Sequence, residues 1–127
     1  MDTASAALGE DLAAMVANGP AESLGLTVNT QPVMLACSVA FFEAYRAAGG
    51  RMPTHAAGHS LGEYAALTAA GVFSLADAVR TVRFRAEQMQ AAVPVGTGGW
   101  AAILGCRHPR LISNAVRTAV RVPLLRR

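Results

Sequence analysis

The chain has 127 residues, of which 53% are hydrophobic, and its formal net charge is +3. That length fits a single domain with a modest hydrophobic core. The longest apolar run, residues 33–42, is too short to span a bilayer, and the acidic, small-residue start is not typical of a signal peptide. We therefore expect a cytoplasmic protein with no membrane partner. Cys37 and Cys106 lack the spacing of a metal site or a disulfide framework, so neither a metal nor a cofactor is expected.

Apolar periodicity and breaker residues predict four helices and one short helical turn. The first helix covers residues 3–18, and the turn covers residues 21–24 after a break at Gly19-Pro20. A long helix is predicted over residues 30–48, with Thr30 as its N-cap and Pro32 in its first turn.

Two further helices are predicted over residues 61–70 and 74–92, and the second of them begins with a capping box made by Ser74 and Asp77. Short strands are predicted at residues 54–58 and 100–105, with a loop at residues 94–99 between the last helix and the last strand. Strands that alternate with helices favour an α/β fold with a parallel sheet.

The segment Gly58-His59-Ser60-Leu61-Gly62 lies where the first predicted strand turns into a helix. This is the G-x-S-x-G pattern of a nucleophile elbow. A serine becomes a useful nucleophile when a tight turn exposes its oxygen beside a base and backbone donors. Glycines that merely pack a helix on a sheet explain the pattern equally well. His59 adjoins the serine and is expected to point away from its oxygen, so it is not our candidate for the base.

Arg85 lies on the predicted helix 74–92, about 60° from the centre of an apolar stripe. Its head group is therefore directed toward the interior, whereas Arg80, Arg83 and Glu87 point away. A buried guanidinium needs a carboxylate, and no acid of the chain is an obvious partner. Periodicity alone favours the alternative, in which the Arg85 stem lies along the helix flank and the head group reaches solvent. The stripe consists of Leu75, Val79, Val82, Ala86 and Met89.

The longer string GHSLGEYAAL at residues 58–67 closely resembles the malonyl-CoA:acyl carrier protein transacylases, and the related acyltransferase domains of polyketide and fatty acid synthases. Further matches are Thr30-Gln31-Pro32, Gly71-Val72-Phe73 and the loop at residues 93–98. The resemblance covers about residues 4–105. It implies part of an α/β-hydrolase-like large subdomain with a parallel sheet, and it leaves the family's ferredoxin-like small subdomain outside this chain.

The same resemblance implies a function. Such enzymes move a malonyl group from malonyl-CoA to the phosphopantetheine thiol of acyl carrier protein through an acyl-serine, which would form here on Ser60. Arg85 matches the arginine that grips the malonyl carboxylate, so the resemblance reverses the preference for a solvent-facing head group. The backbone N–H of Leu61 becomes an oxyanion donor, and Gln31 is placed near the pocket.

Two parts of the family pattern are absent from the sequence, namely the catalytic histidine far downstream of the serine and a glycine-rich N-terminal segment that supplies an oxyanion donor. His55, His59 and His108 are not expected to replace the missing base. Because serine catalysis without a base falls by orders of magnitude, we expect this chain to be impaired or inactive.

The charge of the chain changes sign near its end. Residues 1–106 carry five arginines and all eight acids, whereas residues 107–127 carry six arginines and no acid. We therefore expect residues 1–106 to be a partial acyltransferase large subdomain and residues 107–127 to be a basic tail that is out of frame or disordered. A genuine arm for nucleic acid or anionic membrane is the competing interpretation. It is disfavoured by the many apolar residues of the tail, and no nucleic-acid partner is expected.

Three other functions remain open at this point. The chain could belong to an acyltransferase domain of polyketide synthesis, or to a serine hydrolase of the patatin or lipase type that uses water as acceptor and does not need Arg85. It could also be a non-catalytic remnant.

Overall fold

The computed structural model describes residues 1–93, which contain six helices and no strand. No helix in this part of the chain is both long and apolar enough to cross a membrane. The predictions for the loop at residues 94–99, the strand at 100–105, Cys106 and the tail at 107–127 lie outside the described residues. The helices are α1 (Asp2–Leu8), α2 (Leu12–Asn18), α3 (Ala21–Gly25), α4 (Thr27–Ala47), α5 (Leu61–Ala69) and α6 (Leu75–Ala92).

The helix predicted over residues 3–18 is in fact two helices. Gly9 ends α1 in the left-handed conformation, with φ at 69°, and its N–H bonds to the carbonyl of Ser5. Asp11 then caps α2, because its carboxylate accepts a hydrogen bond of 2.8 Å from the N–H of Ala14. Glycine adopts positive φ without steric cost, so Gly9 breaks the helix that its neighbours would otherwise continue.

The long helix α4 begins one turn earlier than predicted, and Thr30 is not its N-cap. The Thr30 hydroxyl donates to the carbonyl of Leu26 at 3.0 Å and to the carbonyl of Leu24. It therefore satisfies carbonyl groups around the end of α3 and does not accept from the first N–H groups of α4. Pro32 consequently lies inside α4, beyond its first turn.

Ser74 caps α6 as predicted, but the Asp77 carboxylate accepts from the Ser74 hydroxyl and not from its backbone N–H, so the capping box is only half formed. The Ser74 hydroxyl accepts from the N–H of Asp77 at 3.1 Å and donates to the Asp77 carboxylate at 2.6 Å. The apolar stripe of α6 is also confirmed, because its central residues are fully buried against α4 and the first two helices. The buried apolar core consists of Ala4, Leu12, Val33, Leu35, Ala36, Val39, Ala78, Val79 and Val82.

Arg83 was expected to point away from the core, and this expectation is wrong. Its side chain is only 14% exposed and forms an ion pair with Glu10, in the turn between α1 and α2. A second nitrogen donates to the Asn29 side chain of α4 at 3.2 Å, and Asn29 in turn donates to the carbonyl of Ser23 in α3 at 3.0 Å. Arg83 therefore connects α6 to α4 and to the start of the chain.

Residues 54–58 do not form the predicted strand, so the described part of the chain has no parallel sheet. The physical reason is pairing. A strand is stable only when its N–H and C=O groups bond to a neighbouring strand, and residues 1–93 supply none. The segment nevertheless leads directly into Ser60 and helix α5, which is the junction that the sequence predicted.

Candidate functional site

The site begins with an unusual backbone conformation at Ser60. Its φ is 53° and its ψ is −114°, and it is the one residue other than glycine with positive φ in residues 1–93. A side chain is unfavourable there, because the conformation is one that mainly glycine adopts. Ser60 occupies the N-cap position of α5, but its side chain makes no capping hydrogen bond. The hydroxyl is exposed and is left available for other contacts.

Gly58 allows the chain to make this turn. A Cβ atom added at Gly58 would lie 1.9 Å from the backbone carbon and oxygen of Gly62, which is far inside any real contact distance. A Cβ atom at Gly62 would meet nothing within 4 Å. The two glycines of the motif therefore differ in role. Gly58 permits a close approach between the incoming segment and α5, and the same approach brings Ser60 to the surface of the turn.

Arg85 reaches this turn from α6. One terminal nitrogen of its guanidinium donates to the Ser60 hydroxyl at 3.0 Å, and the other donates to the side-chain oxygen of Gln31. Arg85 is half-buried, so the alternative with its head group extended into solvent is wrong. Three of the sequence-predicted site residues, from helices α4, α5 and α6, thus form one connected group.

Gln31 is buried, with 6% of its surface exposed. Its side-chain nitrogen donates to the Thr27 hydroxyl at 2.8 Å and to the sulfur of Met89 at 3.4 Å. Because both donors of the amide nitrogen are directed to these two partners, the amide oxygen is left to accept from Arg85. The sequence signal for this arrangement was weak, since an isolated glutamine near the start of a helix is usually an ordinary polar residue.

The Arg85 guanidinium has no carboxylate partner in the part of the chain that the structure describes. The two ion pairs there join Arg80 to Asp77 and Arg83 to Glu10. The hydrogen-bond partners of Arg85 are a neutral amide and a neutral hydroxyl, each of which occupies one donor of a group that has five. A half-buried cation with neutral partners is suited to bind an anion in two parallel hydrogen bonds.

The backbone N–H of Leu61 is the first N–H group of α5, and it has no hydrogen-bond acceptor within residues 1–93. The next two N–H groups are already used, because Gly62 donates to the carbonyl of His59 at 2.9 Å and Glu63 donates to the carbonyl of Ser60 at 3.2 Å. Among residues 1–93 the Leu61 N–H makes no backbone or side-chain hydrogen bond. It lies one peptide unit from the Ser60 side chain, where an oxyanion donor is needed.

No histidine in the described range bonds to the serine. The ring of His55 lies 3.0 Å from the hydroxyl of Thr54, and neither His55 nor His59 forms a hydrogen bond with Ser60. His108 lies outside the described residues. The structure therefore unites Ser60, Leu61, Gln31 and Arg85 but brings no base to them.

Tyr64 is a neighbour of Arg85 that the sequence analysis did not single out. The central carbon of the Arg85 guanidinium lies over the Tyr64 ring, 5.8 Å from its centroid, within the range of a cation–π interaction. A signal was present in the sequence, because Tyr64 follows Ser60 by four residues and so lies one helical turn further along the same face of α5.

A serine on a strained turn before a helix thus contacts an arginine that has no acid partner among residues 1–93. The chain belongs to the acyl transferase domain family, whose sequence pattern matches residues 2–119. The match continues past Gly105, where we expected the resemblance to end. The proposed division at residue 106 stays a prediction.

Comparison with known proteins agrees with this family. The chain is 57% identical over 102 residues to the malonyl CoA-acyl carrier protein transacylase of Salmonella typhimurium, covering 80% of this chain and 33% of that protein. It resembles the acyl-carrier-protein S-malonyltransferase of Burkholderia pseudomallei with a TM-score of 0.71 and 57% identity, over 75% of this chain and 31% of that one.

A third similar structure is a malonyl-transacylase in complex with its type II PKS acyl-carrier protein. Its TM-score is 0.70 and its identity 49%, over 73% of this chain and 30% of that one. The chain thus spans about a third of the length of the proteins that it matches.

Proposed function

We propose that the protein to which this chain corresponds transfers malonyl from malonyl-CoA to the phosphopantetheine thiol of acyl carrier protein, in fatty acid biosynthesis. Ser60 would carry the acyl group between the two thiols. The similar proteins support the substrate and the acceptor, since they are malonyl transacylases and malonyltransferases of acyl carrier protein. The residues of the site support the chemistry.

One observation carries the proposal, namely the 3.0 Å hydrogen bond between Arg85 and Ser60. An acyl group bound to the Ser60 oxygen would have its next atoms close to the guanidinium. Malonyl has a carboxylate one methylene beyond the acyl carbon, and acetyl has none. A carboxylate at that distance could accept two hydrogen bonds from Arg85, so the arrangement favours a short dicarboxylic acyl group over an uncharged one.

The reaction that we infer has two exchanges at one carbonyl carbon. The Ser60 oxygen attacks the thioester carbonyl, an O–C bond forms, the C–S bond breaks, and coenzyme A leaves as its thiol with the proton that the serine gave up. The carrier thiol then attacks the acyl-serine and releases Ser60. Leu61 would donate its N–H to the oxyanion in both exchanges, and Gln31 would hold Arg85 in place. The resemblance assigns the proton acceptor to a histidine further along the family's sequence.

Incubation of the chain with malonyl-CoA, followed by intact-mass measurement and peptide mapping, tests the proposal. We expect slow formation of a malonyl adduct on Ser60, because residues 1–93 bring no base to it, and no adduct in the matched variant Ser60→Ala. In Arg85→Ala the rate of adduct formation from malonyl-CoA should fall by about 10²-fold, because a charge-assisted pair of hydrogen bonds is lost, while the rate from acetyl-CoA should change little.

Two results would contradict the proposal. An equal fall of the malonyl and acetyl rates in Arg85→Ala would contradict the carboxylate-binding role of Arg85. Hydrolysis of uncharged esters at a rate that does not depend on Arg85 would favour a patatin-like or lipase-like hydrolase. An intact chain that gives no adduct under any condition would favour a non-catalytic remnant.

Polyketide synthesis is a second candidate setting for the same reaction. It is favoured by the similar structure whose partner is a type II PKS acyl-carrier protein. The two settings differ in the acceptor. Transfer from malonylated Ser60 to the carrier protein of fatty acid synthesis and to a type II polyketide carrier, measured side by side, distinguishes them by the faster acceptor.

We also propose that residues 54–58 form a strand when further strands pair with them, in an α/β-hydrolase-like large subdomain with a parallel sheet. The similarity to the Burkholderia pseudomallei structure, with a TM-score of 0.71, supports this proposal. The cytoplasmic location and the lack of a nucleic-acid or membrane partner stay predictions from the sequence.

A further inference from the structure

The ring of Tyr64 is the third contact of the Arg85 guanidinium. The two hydrogen bonds of Arg85 run to Gln31 and to Ser60, which hold its terminal nitrogens. The ring of Tyr64 lies below its central carbon, at 5.8 Å from centroid to carbon. The amide comes from α4, whereas the hydroxyl and the ring come from the N-cap and the body of one helix, α5.

The contacts of Arg85 with Gln31, Ser60 and Tyr64 differ in how they respond to the binding of a carboxylate. A carboxylate that binds Arg85 in two parallel hydrogen bonds needs two neighbouring N–H groups at the edge of the guanidinium, which is also the edge that Ser60 and Gln31 contact. The Tyr64 ring faces the plane of the group and uses no N–H. A cation–π contact therefore persists while hydrogen bonds at the edge are exchanged.

The Tyr64 hydroxyl is not part of this contact. Among the hydrogen bonds within residues 1–93, the Tyr64 side chain neither donates nor accepts, and only its backbone carbonyl is used, by Thr68 at 2.7 Å. The ring itself is half-buried and packs against the core cluster, which limits its motion. What Tyr64 offers to Arg85 is therefore an aromatic face held in a fixed place.

We propose that Tyr64 is a positioning residue for Arg85, whose ring face holds the guanidinium beside Ser60 before and during the binding of an acidic acyl group. The proposal deepens the malonyl-transfer function above and rests on it for the identity of the anion. The positioning itself is a property of the free chain, and it can be measured without substrate.

The experiment compares the original chain with three variants by NMR. Tyr64→Leu removes the aromatic face but keeps an apolar side chain, and Tyr64→Phe keeps the face and removes the hydroxyl. Phe73→Leu is the matched control, because Phe73 is also half-buried against the same core, whereas the cation–π contact of Arg85 is with Tyr64. The readout is the order parameter of the Arg85 side-chain N–H in the free protein, with the signal assigned by Arg85→Lys.

We expect Arg85 to be ordered in the original chain, in Tyr64→Phe and in Phe73→Leu, and to become mobile in Tyr64→Leu alone. Titration with sodium malonate should then give a dissociation constant about fivefold higher for Tyr64→Leu, and unchanged for the other two variants. Backbone amide spectra of the variants establish that each has kept its fold.

Each outcome has a definite meaning. Unchanged Arg85 order in Tyr64→Leu overturns the positioning role, as does equal loss of order in Phe73→Leu, which would reveal a general effect of core packing. Loss of order in Tyr64→Phe would assign the effect to the hydroxyl and also overturn it. If Tyr64→Leu frees Arg85 but malonate binds to no chain, the positioning role stands and the proposed malonyl function fails.

Discussion

Gly58 is the position at which the turn can least accommodate a side chain. The space for its Cβ is taken by the backbone of Gly62 at 1.9 Å, and backbone atoms cannot move aside as a flexible side chain can. The strained φ of 53° at Ser60 depends on that close approach, because it is what holds the turn tight. The glycine thus lets the chain keep an unfavourable serine conformation.

We predict that Gly58→Ala lowers the free energy of unfolding by about 2 kcal/mol or more, since the turn must open to admit the methyl group. The matched control is Gly62→Ala, where a Cβ meets nothing within 4 Å and the residue lies in α5. That change should be neutral or stabilise the chain by about 0.5–1 kcal/mol through helix propensity.

Urea unfolding followed by circular dichroism measures both changes. Similar values for the two alanine variants would show that the 1.9 Å approach is not needed for the fold. Gly58→Ala should also slow the formation of the malonyl adduct on Ser60, whereas Gly62→Ala should not, if the turn presents the serine.

Among the elements, helices were predictable and their ends were only partly so. The α6 stripe and its Ser74 cap follow from spacing alone, because they depend on contacts within one helix. The break at Gly9 was not predicted, because the alanine-rich run favours one continuous helix. Gly9 and Asp11 are nevertheless a helix stop and an N-cap in the right order. The start of α4 could not be predicted from spacing, because Thr30 bonds to carbonyl groups around the end of α3.

Arg83 makes a contact that the apolar periodicity of α6 cannot predict. Its position on α6 predicts a solvated side chain, yet the turn between α1 and α2 brings Glu10 to it across 73 residues of sequence. A pairing of this kind depends on how helices pack, and the pattern of one helix holds no information about it. The same is true of Gln31 and Arg85, which are 54 residues apart.

The Arg83–Glu10 pair should stabilise the helix arrangement more than an ordinary surface pair. Arg83 is 14% exposed and Glu10 40%, whereas the pair Arg80–Asp77 on the same helix is exposed by 59% and 66%. We predict a coupling free energy of about 1 kcal/mol for the first pair, because removal of either partner leaves a shielded charge, and below about 0.5 kcal/mol for the second.

Double-mutant cycles with Arg83→Met and Glu10→Gln, and with Arg80→Met and Asp77→Asn as the control cycle, supply the two coupling energies from urea unfolding. Equal coupling in both cycles would mean that burial adds nothing to the Arg83 contact. Added salt should weaken the Arg80 cycle more than the Arg83 cycle.

At the scale of the whole molecule, the grouping of the candidate residues was predicted better than the architecture around them. The G-x-S-x-G pattern located Ser60, because a serine between two glycines encodes its own turn, and the resemblance to a known family supplied Arg85 and Gln31. The strand at residues 54–58 could not be settled locally, since a strand exists only with its partners. The contact of Tyr64 with Arg85 depends on how α5 and α6 pack, so the sequence did not reveal it.

Among residues 1–93, Ser60 and Arg85 thus lie together without a base bonded to the serine, and this has a kinetic consequence for the proposed reaction. No histidine ring bonds to Ser60 among residues 1–93, so the serine proton has no fixed acceptor there. A positioned base contributes about 10²–10⁴-fold to such a step, and a freely diffusing one supplies a smaller part of the same effect. We predict that imidazole added to the solution accelerates malonyl-adduct formation on Ser60 by roughly tenfold, in proportion to its concentration.

Intact-mass time courses with and without imidazole measure this acceleration, and His59→Ala is the variant that decides how to interpret it. Because His59 is exposed and has no hydrogen bond to Ser60, its replacement should leave the basal rate and the response to imidazole unchanged. If His59→Ala instead lowers the basal rate and imidazole restores it, the ring beside the nucleophile is the working base. In that case the proton would leave Ser60 by a local route, and no downstream histidine would be required.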